Sequence, residues 1–125
     1  MAGIGLAMTR ERPVARLFLY GTLLDRGTLS ARAGDPRLAA RSTPATLTGW
    51  RRVALRGGRY PTLRRSRLAS VSGAIVTVPA RALARLATYE GDAYRLTRVV
   101  VQAANGKTAA HTWIAPGGTC RPWRE

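Results

Sequence analysis

With 125 residues, 13.5 kDa and 46% hydrophobic side chains, the chain is one domain long and can bury about two-thirds of its unfolded surface without covalent or metal staples. One cysteine (Cys120) and one histidine (His111) exclude an internal disulfide and a structural zinc site, which takes about four ligands, and no apolar stretch approaches the roughly 20 residues that span a bilayer. The 21 basic residues against 6 acidic ones give +15 at pH 7, a balance that attracts polyanions.

Residues 1–14 are expected to form a flexible lead-in that ends on the breaker Pro13. A single domain is expected over 15–115. Arg16 to Tyr20 (RLFLY) is a short apolar run, predicted as a buried strand, and Gly21-Thr22 interrupts it at once. Thr28 to Ala33 predicts one or two helical turns before the breakers Gly34, Asp35 and Pro36. Ala45 to Leu55 alternates loosely around Gly49, which predicts a strand with a bend or bulge. Gly57-Gly58 is a turn, and Arg59 to Leu63 is extended because the residue before Pro61 avoids the helical region. Val71 to Val78, rich in β-branched residues, is the strongest predicted strand.

Pro79 suits a helix start, where its missing N–H costs nothing. The helix is predicted over Ala80 to Glu90, with Leu83, Leu86 and either Ala87 or Tyr89 on its apolar stripe and Gly91 as its stop. Tyr94 to Ala103 and Thr108 to Ala115 are predicted strands joined by a hairpin at Asn105-Gly106. Residues 116–125, rich in Gly and Pro, are expected to be a loosely held tail. The pattern is α+β: a strand-rich domain with one good helix, whose sheet avoids open edges most easily by curling or closing.

The arginines run from Arg10 to Arg124 with no helix-turn-helix, zinc-finger or RNP pattern, and aromatic residues are only 6%, too few for a base-stacking platform. No specific nucleic-acid partner and no membrane partner are expected. Met1 to Met8 lacks the basic residue and long apolar core of a signal peptide, so a cytoplasmic protein is expected. No Walker loop, GxGxxG or GxSxG elbow is present. His111 has no second metal ligand in sight, and Cys120 has no Cys–His signature around it. Two features remain. After a buried strand, Tyr20-Gly21-Thr22-Leu23 is either a plain turn or a loop whose N–H groups converge on an anion or oxyanion. Glu90 sits in the last turn of the predicted helix, where the partial negative charge of the C-terminus disfavours a carboxylate. It is either a surface Glu paired with an Arg or a carboxyl whose pKa is raised toward the range used in proton transfer.

These features coincide in the order LFLYGTLL (17–24), ATLTGWRRVAL (45–55), RYPTLRRS (59–66), VSGAIVTVP (71–79) and LATYEGDAYR (86–95). That order resembles the γ-glutamylcyclotransferase-like family, which includes AIG2-like, γ-glutamylamine cyclotransferase and BtrG-like proteins. The resemblance implies a small mixed β-barrel of about five to seven strands, flanked by one main helix at about 80–90 and by short helices. It implies a metal-independent enzyme without cofactor. Such an enzyme cleaves a γ-glutamyl amide by attack of the substrate's own α-amine, releasing 5-oxoproline and a free amine. On this resemblance the catalytic glutamate is Glu90, and the substrate is cradled by Tyr20, Gly21, Thr22 and Leu23, with Tyr60 and Tyr94 as recurring tyrosines. The chain departs from the family pattern in two places. Thr88 stands where an acidic residue often precedes Tyr-Glu-Gly, and Trp113 stands where a tyrosine of the last strand is frequent. The expected partner is a small γ-glutamyl compound. Two alternatives stand beside the enzyme: a binding module of the same fold for a small amino-acid-like or anionic ligand, and a basic nucleic-acid-associated protein.

Charge without a recognition motif predicts weak DNA or RNA binding, indifferent to sequence, that is lost steeply as salt rises. Titration of a fluorescent duplex at low and at physiological salt measures it. Tight, sequence-selective binding at physiological salt would favour the nucleic-acid alternative.

Overall fold

The structure, a computed structural model, describes residues 12–55, 61–116 and 120–122. The expected Gly57-Gly58 turn, Tyr60 and nearly all of the 1–14 lead-in lie outside the described residues. In chain order the elements are β1 (Pro13–Leu19), a 3₁₀ turn (Thr22–Leu24), α1 (Arg26–Ala33), a second 3₁₀ turn (Ala39–Arg41), β2 (Thr43–Leu55), β3 (Pro61–Pro79), α2 (Ala80–Glu90), β4 (Arg95–Ala103), β5 (Gly106–Ile114) and β6 (Cys120–Pro122).

The run Leu17 to Tyr20 is apolar at every position because both of its faces are covered. Leu17 and Leu19 pack with Leu29, Val76, Val78, Ala82 and Leu86 in the layer between sheet and helices. Phe18 and Tyr20 point the other way, into a second core with Leu47, Leu63, Val71, Val99 and Val101. The alternation follows from the two-residue period of a strand. β1 pairs antiparallel with β3 and parallel with β5 at Leu17↔His111. β5 pairs with β4, β4 with β2, and β2 with β3. The pairings therefore close a mixed, ring-like sheet of β3-β1-β5-β4-β2, and β6 is added on β2. The ring encloses the second core, and both helices lie outside it. The α+β expectation is met in architecture: a small mixed sheet that curls onto itself, one main helix at 80–90 and short helices.

Four local expectations change. The extended segment near Pro61 and the strand at 71–78 are one strand, β3, because the polar stretch between them also pairs with β2. The bend or bulge expected at Gly49 is present, as a bulge: Thr48 pairs with Ser70 and Trp50 with Arg65, so Ser66 to Ala69 stand opposite Gly49. The β4–β5 hairpin closes one residue earlier than the Asn-Gly signal implies, with Ala103 opposite Gly106 and Ala104-Asn105 at the turn. Cys120–Pro122, read as tail, pairs with Val53 to Leu55 of β2. At the other end, β1 starts at Pro13, inside the segment read as lead-in.

Gly73 is where β3 lets β1 come close. A Cβ built there would lie 2.2 Å from the Leu19 carbonyl oxygen and 2.8 Å from the Phe18 ring, and neither neighbour can withdraw, since both belong to the core strand. Gly73→Ala is expected to destabilise the fold by roughly 1–3 kcal/mol and lower Tm by about 5–10 °C. A thermal melt of the variant checks this.

Candidate active site

A cavity of about 130 Å³ opens where β1 ends, many times the space that one water needs. One wall is the end of β1 and the loop that follows, Phe18 to Leu23. Facing it are Tyr89, Glu90 and Tyr94 around the end of α2. Pro61 of β3 and Thr112 and Trp113 of β5 complete it.

Glu90 reaches this cavity because of helix geometry. Ala82 and Leu86 are buried, and Glu90 follows Leu86 by four residues, which places it on the same face. A carboxylate thus occupies a position of the stripe that packing would give to an apolar side chain. Leu83 and Tyr89 are half-buried against the same core, whereas Ala87 is exposed. Gly91 ends the helix at φ +89, a conformation that side chains with a Cβ rarely adopt. Its N–H donates to the Ala87 carbonyl, and the Tyr94 N–H donates back to the Gly91 carbonyl, which returns the chain to the cavity. Burial pushes the Glu90 carboxyl up to about 7. Among the described residues the only ion pair is Arg41–Asp35, so the surface Glu–Arg pairing is not what the fold makes of Glu90.

The two tyrosines are tied down by their hydroxyls. Tyr20 donates to the Trp113 carbonyl, and Tyr94 donates to the Pro61 carbonyl at 3.0 Å. Burial raises both phenols, and the nearby Glu90 charge adds to the rise. Both remain protonated hydrogen-bond donors that lock the walls together. On the other wall, Leu24 and Asp25 donate to the carbonyls of Gly21 and Thr22. The N–H groups of Gly21, Thr22 and Leu23 donate to no acceptor among the described residues. Gly21 has φ −125, and a Cβ there would make an ordinary 3.5 Å contact with Pro61. Its value lies in leaving room at the cavity rather than in a left-handed turn. Arg52 clamps the loop from behind: its Nε donates to the Tyr20 carbonyl at 3.0 Å and its terminal nitrogen to the Ser72 carbonyl at 2.6 Å.

The cavity thus gathers Tyr20, Gly21, Thr22, Leu23, Glu90 and Tyr94 from the sequence-derived set. Tyr60 lies outside the described residues. Tyr89, Pro61, Thr112 and Trp113 were not singled out as site residues. Tyr89 had a signal, its place beside Glu90 in the Tyr-Glu-Gly motif, and its hydroxyl lies 2.8 Å from Thr22 Oγ1. The Arg32 guanidinium lies over its ring, 4.8 Å from the centroid, a contact worth roughly 0.5–1 kcal/mol at an exposed site. Arg52 had no local signal, being far in sequence from the loop that it holds.

The family model for gamma-glutamyl cyclotransferase, AIG2-like, matches residues 17–124. The chain belongs to this family. Solved structures share its fold. An Arabidopsis thaliana protein, At5g39720.1, is 24% identical with a TM-score of 0.72, over 89% of this chain and 74% of its own. A second Arabidopsis protein, At3g28950.1, is 25% identical with a TM-score of 0.72, over 85% and 65%. A structure named gamma-glutamyl cyclotransferase is 17% identical with a TM-score of 0.72, over 86% and 70%. No curated protein matches the chain. Among the described residues no helix of this family member is long and apolar enough to cross a membrane.

The raised carboxyl has a consequence for stability. Glu90 holds its proton in the folded state up to about pH 7, whereas in the unfolded chain it releases it near the ordinary value of 4.5. Between those values the folded state binds more protons, so stability falls as pH rises through the window. Glu90→Gln removes the cost of ionisation and is expected to stabilise the fold by roughly 1–3 kcal/mol above pH 7, with little change near pH 4. Denaturant unfolding of both proteins across that range measures it.

Proposed function

We propose that this protein is a γ-glutamyl cyclotransferase that cleaves a γ-glutamyl amide to 5-oxoproline and a free amine, with Glu90 as the proton carrier. The observation that carries the proposal is that Glu90, a carboxyl whose pKa burial pushes up to about 7, lines one cavity together with the Tyr20-to-Leu23 loop.

The chemistry follows from the groups present. The substrate's α-amine attacks its own γ-carbonyl carbon and closes a five-membered ring. The attacking nitrogen must lose a proton as its bond to carbon forms, and the leaving nitrogen must gain one as its bond breaks. Glu90 takes the first proton and delivers the second, a role best filled by a group whose pKa lies near the working pH. Negative charge develops on the carbonyl oxygen, and N–H groups of Gly21, Thr22 and Leu23, held in place before the reaction, stabilise it. Tyr20 and Tyr94 keep the walls at a fixed separation through their bonds to backbone carbonyls, which serves a reaction governed by positioning. No step calls on a metal or a nucleotide.

Glu90→Gln keeps shape and hydrogen-bonding reach but cannot accept the proton. Release of 5-oxoproline from an accepted substrate, found by screening γ-glutamyl amines and dipeptides, is expected to drop by about 10²–10⁴ while the protein stays folded. A variant that keeps more than about a tenth of the wild-type rate, against that expected loss, removes Glu90 from the mechanism. A binding module of the same fold would bind such compounds and release no 5-oxoproline.

A further inference from the structure

Ring closure needs the whole γ-glutamyl unit beside Glu90, so the remainder of the substrate, the part released as an amine, extends toward the rim of the cavity. The charges that this part meets are one-sided. Among the described residues, Glu90 is the only carboxyl on the cavity wall. Of the other described acids, Asp25 is engaged by the N–H and hydroxyl of Thr28 at the start of α1, and Asp35 is engaged by Arg37 and Arg41. Asp92 is exposed on the turn after α2. Against these, Arg52 is fixed behind the loop at Tyr20, and Arg32, in the last turn of α1, lies on Tyr89. Tyr89 is itself joined to Thr22 on the facing wall. The whole chain adds a net charge of +15.

Resting on the cyclotransferase reading above, we infer that Arg32 is a specificity-determining residue at the cavity rim and that the amine released carries an anionic group. Arg32 is exposed and makes no ion pair among the described residues. Its guanidinium can exchange the ring of Tyr89 for a carboxylate, sulfonate or phosphate on the substrate, where a planar fork makes paired charge-assisted hydrogen bonds. A substrate whose leaving part is cationic finds, among the described residues, no carboxyl on the cavity wall other than Glu90, which the ring closure itself engages, and it is repelled by the field of the chain. The preference therefore has a local part, lost with Arg32, and a long-range part, lost with salt.

The test uses three γ-glutamyl amides of matched length, made from 5-aminopentanoate, pentylamine and 1,5-diaminopentane, with 5-oxoproline release as the readout. At low salt kcat/KM is expected to fall in the order carboxylate, neutral, ammonium, with about tenfold or more between the ends. At about 0.5 M salt the gap narrows, since screening there acts over only a few Å. Arg32→Gln is expected to lower the ratio of carboxylate to neutral substrate by about fivefold or more, and Arg32→Lys, which keeps the charge but lacks the planar fork, to restore only part of it. A best rate with the ammonium substrate, or an equal effect of Arg32→Gln on all three, overturns the inference and leaves the cyclotransferase reading intact. Release from none of the three, with release from other γ-glutamyl amines or dipeptides of the screen above, overturns this inference alone; release from no compound in either set overturns the cyclotransferase reading with it.

Discussion

The site depends on burying one strand from both sides. β1 is the seam between the two cores: Leu17 and Leu19 face the helices, and Phe18 and Tyr20 face the interior of the ring. Neither core closes without it, and each fixes its position. Gly73 permits the close approach, bringing β3 against the Leu19 carbonyl where a side chain would intrude. Because β1 cannot slide or rotate, the residues directly after it, Tyr20 to Leu23, emerge at a fixed place. The cavity opens there.

The same packing sets the electrostatics. α2 docks on the outer core through Ala82 and Leu86, and that contact carries Glu90 out of bulk water. Desolvation disfavours the ionised form of a carboxyl, and among the described residues Glu90 has no cation in an ion pair to offset the loss. A stripe position that would ordinarily strengthen the helix–sheet contact is used to shift a proton equilibrium, at some cost in stability near neutral pH. The tyrosines on either side are already committed to backbone carbonyls, so the titratable carboxyl stands among groups that keep their own protons. The basic surface extends this imbalance outward. Arg32 and Arg52 flank the cavity through Tyr89 and through the Tyr20 carbonyl.

Membership of the gamma-glutamyl cyclotransferase, AIG2-like family joins these observations to a chemistry without depending on the distant fold likenesses, which carry architecture alone. Of the two departures noted from the expected family pattern, one lies on the cavity and the other is exposed on α2. Trp113, in place of a frequent tyrosine, lines the wall and takes the Tyr20 hydroxyl on its carbonyl. Thr88, in place of an acid, turns its hydroxyl to the Ala84 carbonyl within its own helix.

Much of this was legible in the linear sequence because the signals are local. Helix α2 runs from the residue after Pro79 to Glu90, as proline geometry, apolar spacing and a terminal glycine dictate. The bulge at Gly49 and the two-sided apolar run before Gly21 were equally plain. Where local signals are weak or compete, the sequence misled. The polar stretch 64–70 gave no strand pattern, yet β2 supplies partners along it. The Asn-Gly turn shifted by one residue because pairing along β4 and β5 fixes the register. Residues 120–122 joined the sheet because the edge of β2 was available to them. The sequence by itself determined an α+β chain, its main helix and the presence of a glutamate in an unexpected position. Only the tertiary structure decided that this glutamate, the Tyr20-to-Leu23 loop and Tyr94 share one cavity, that Arg52 clamps the loop and that Arg32 stands over Tyr89. Burial, desolvation and contacts between distant segments exist only once the two cores have closed around β1.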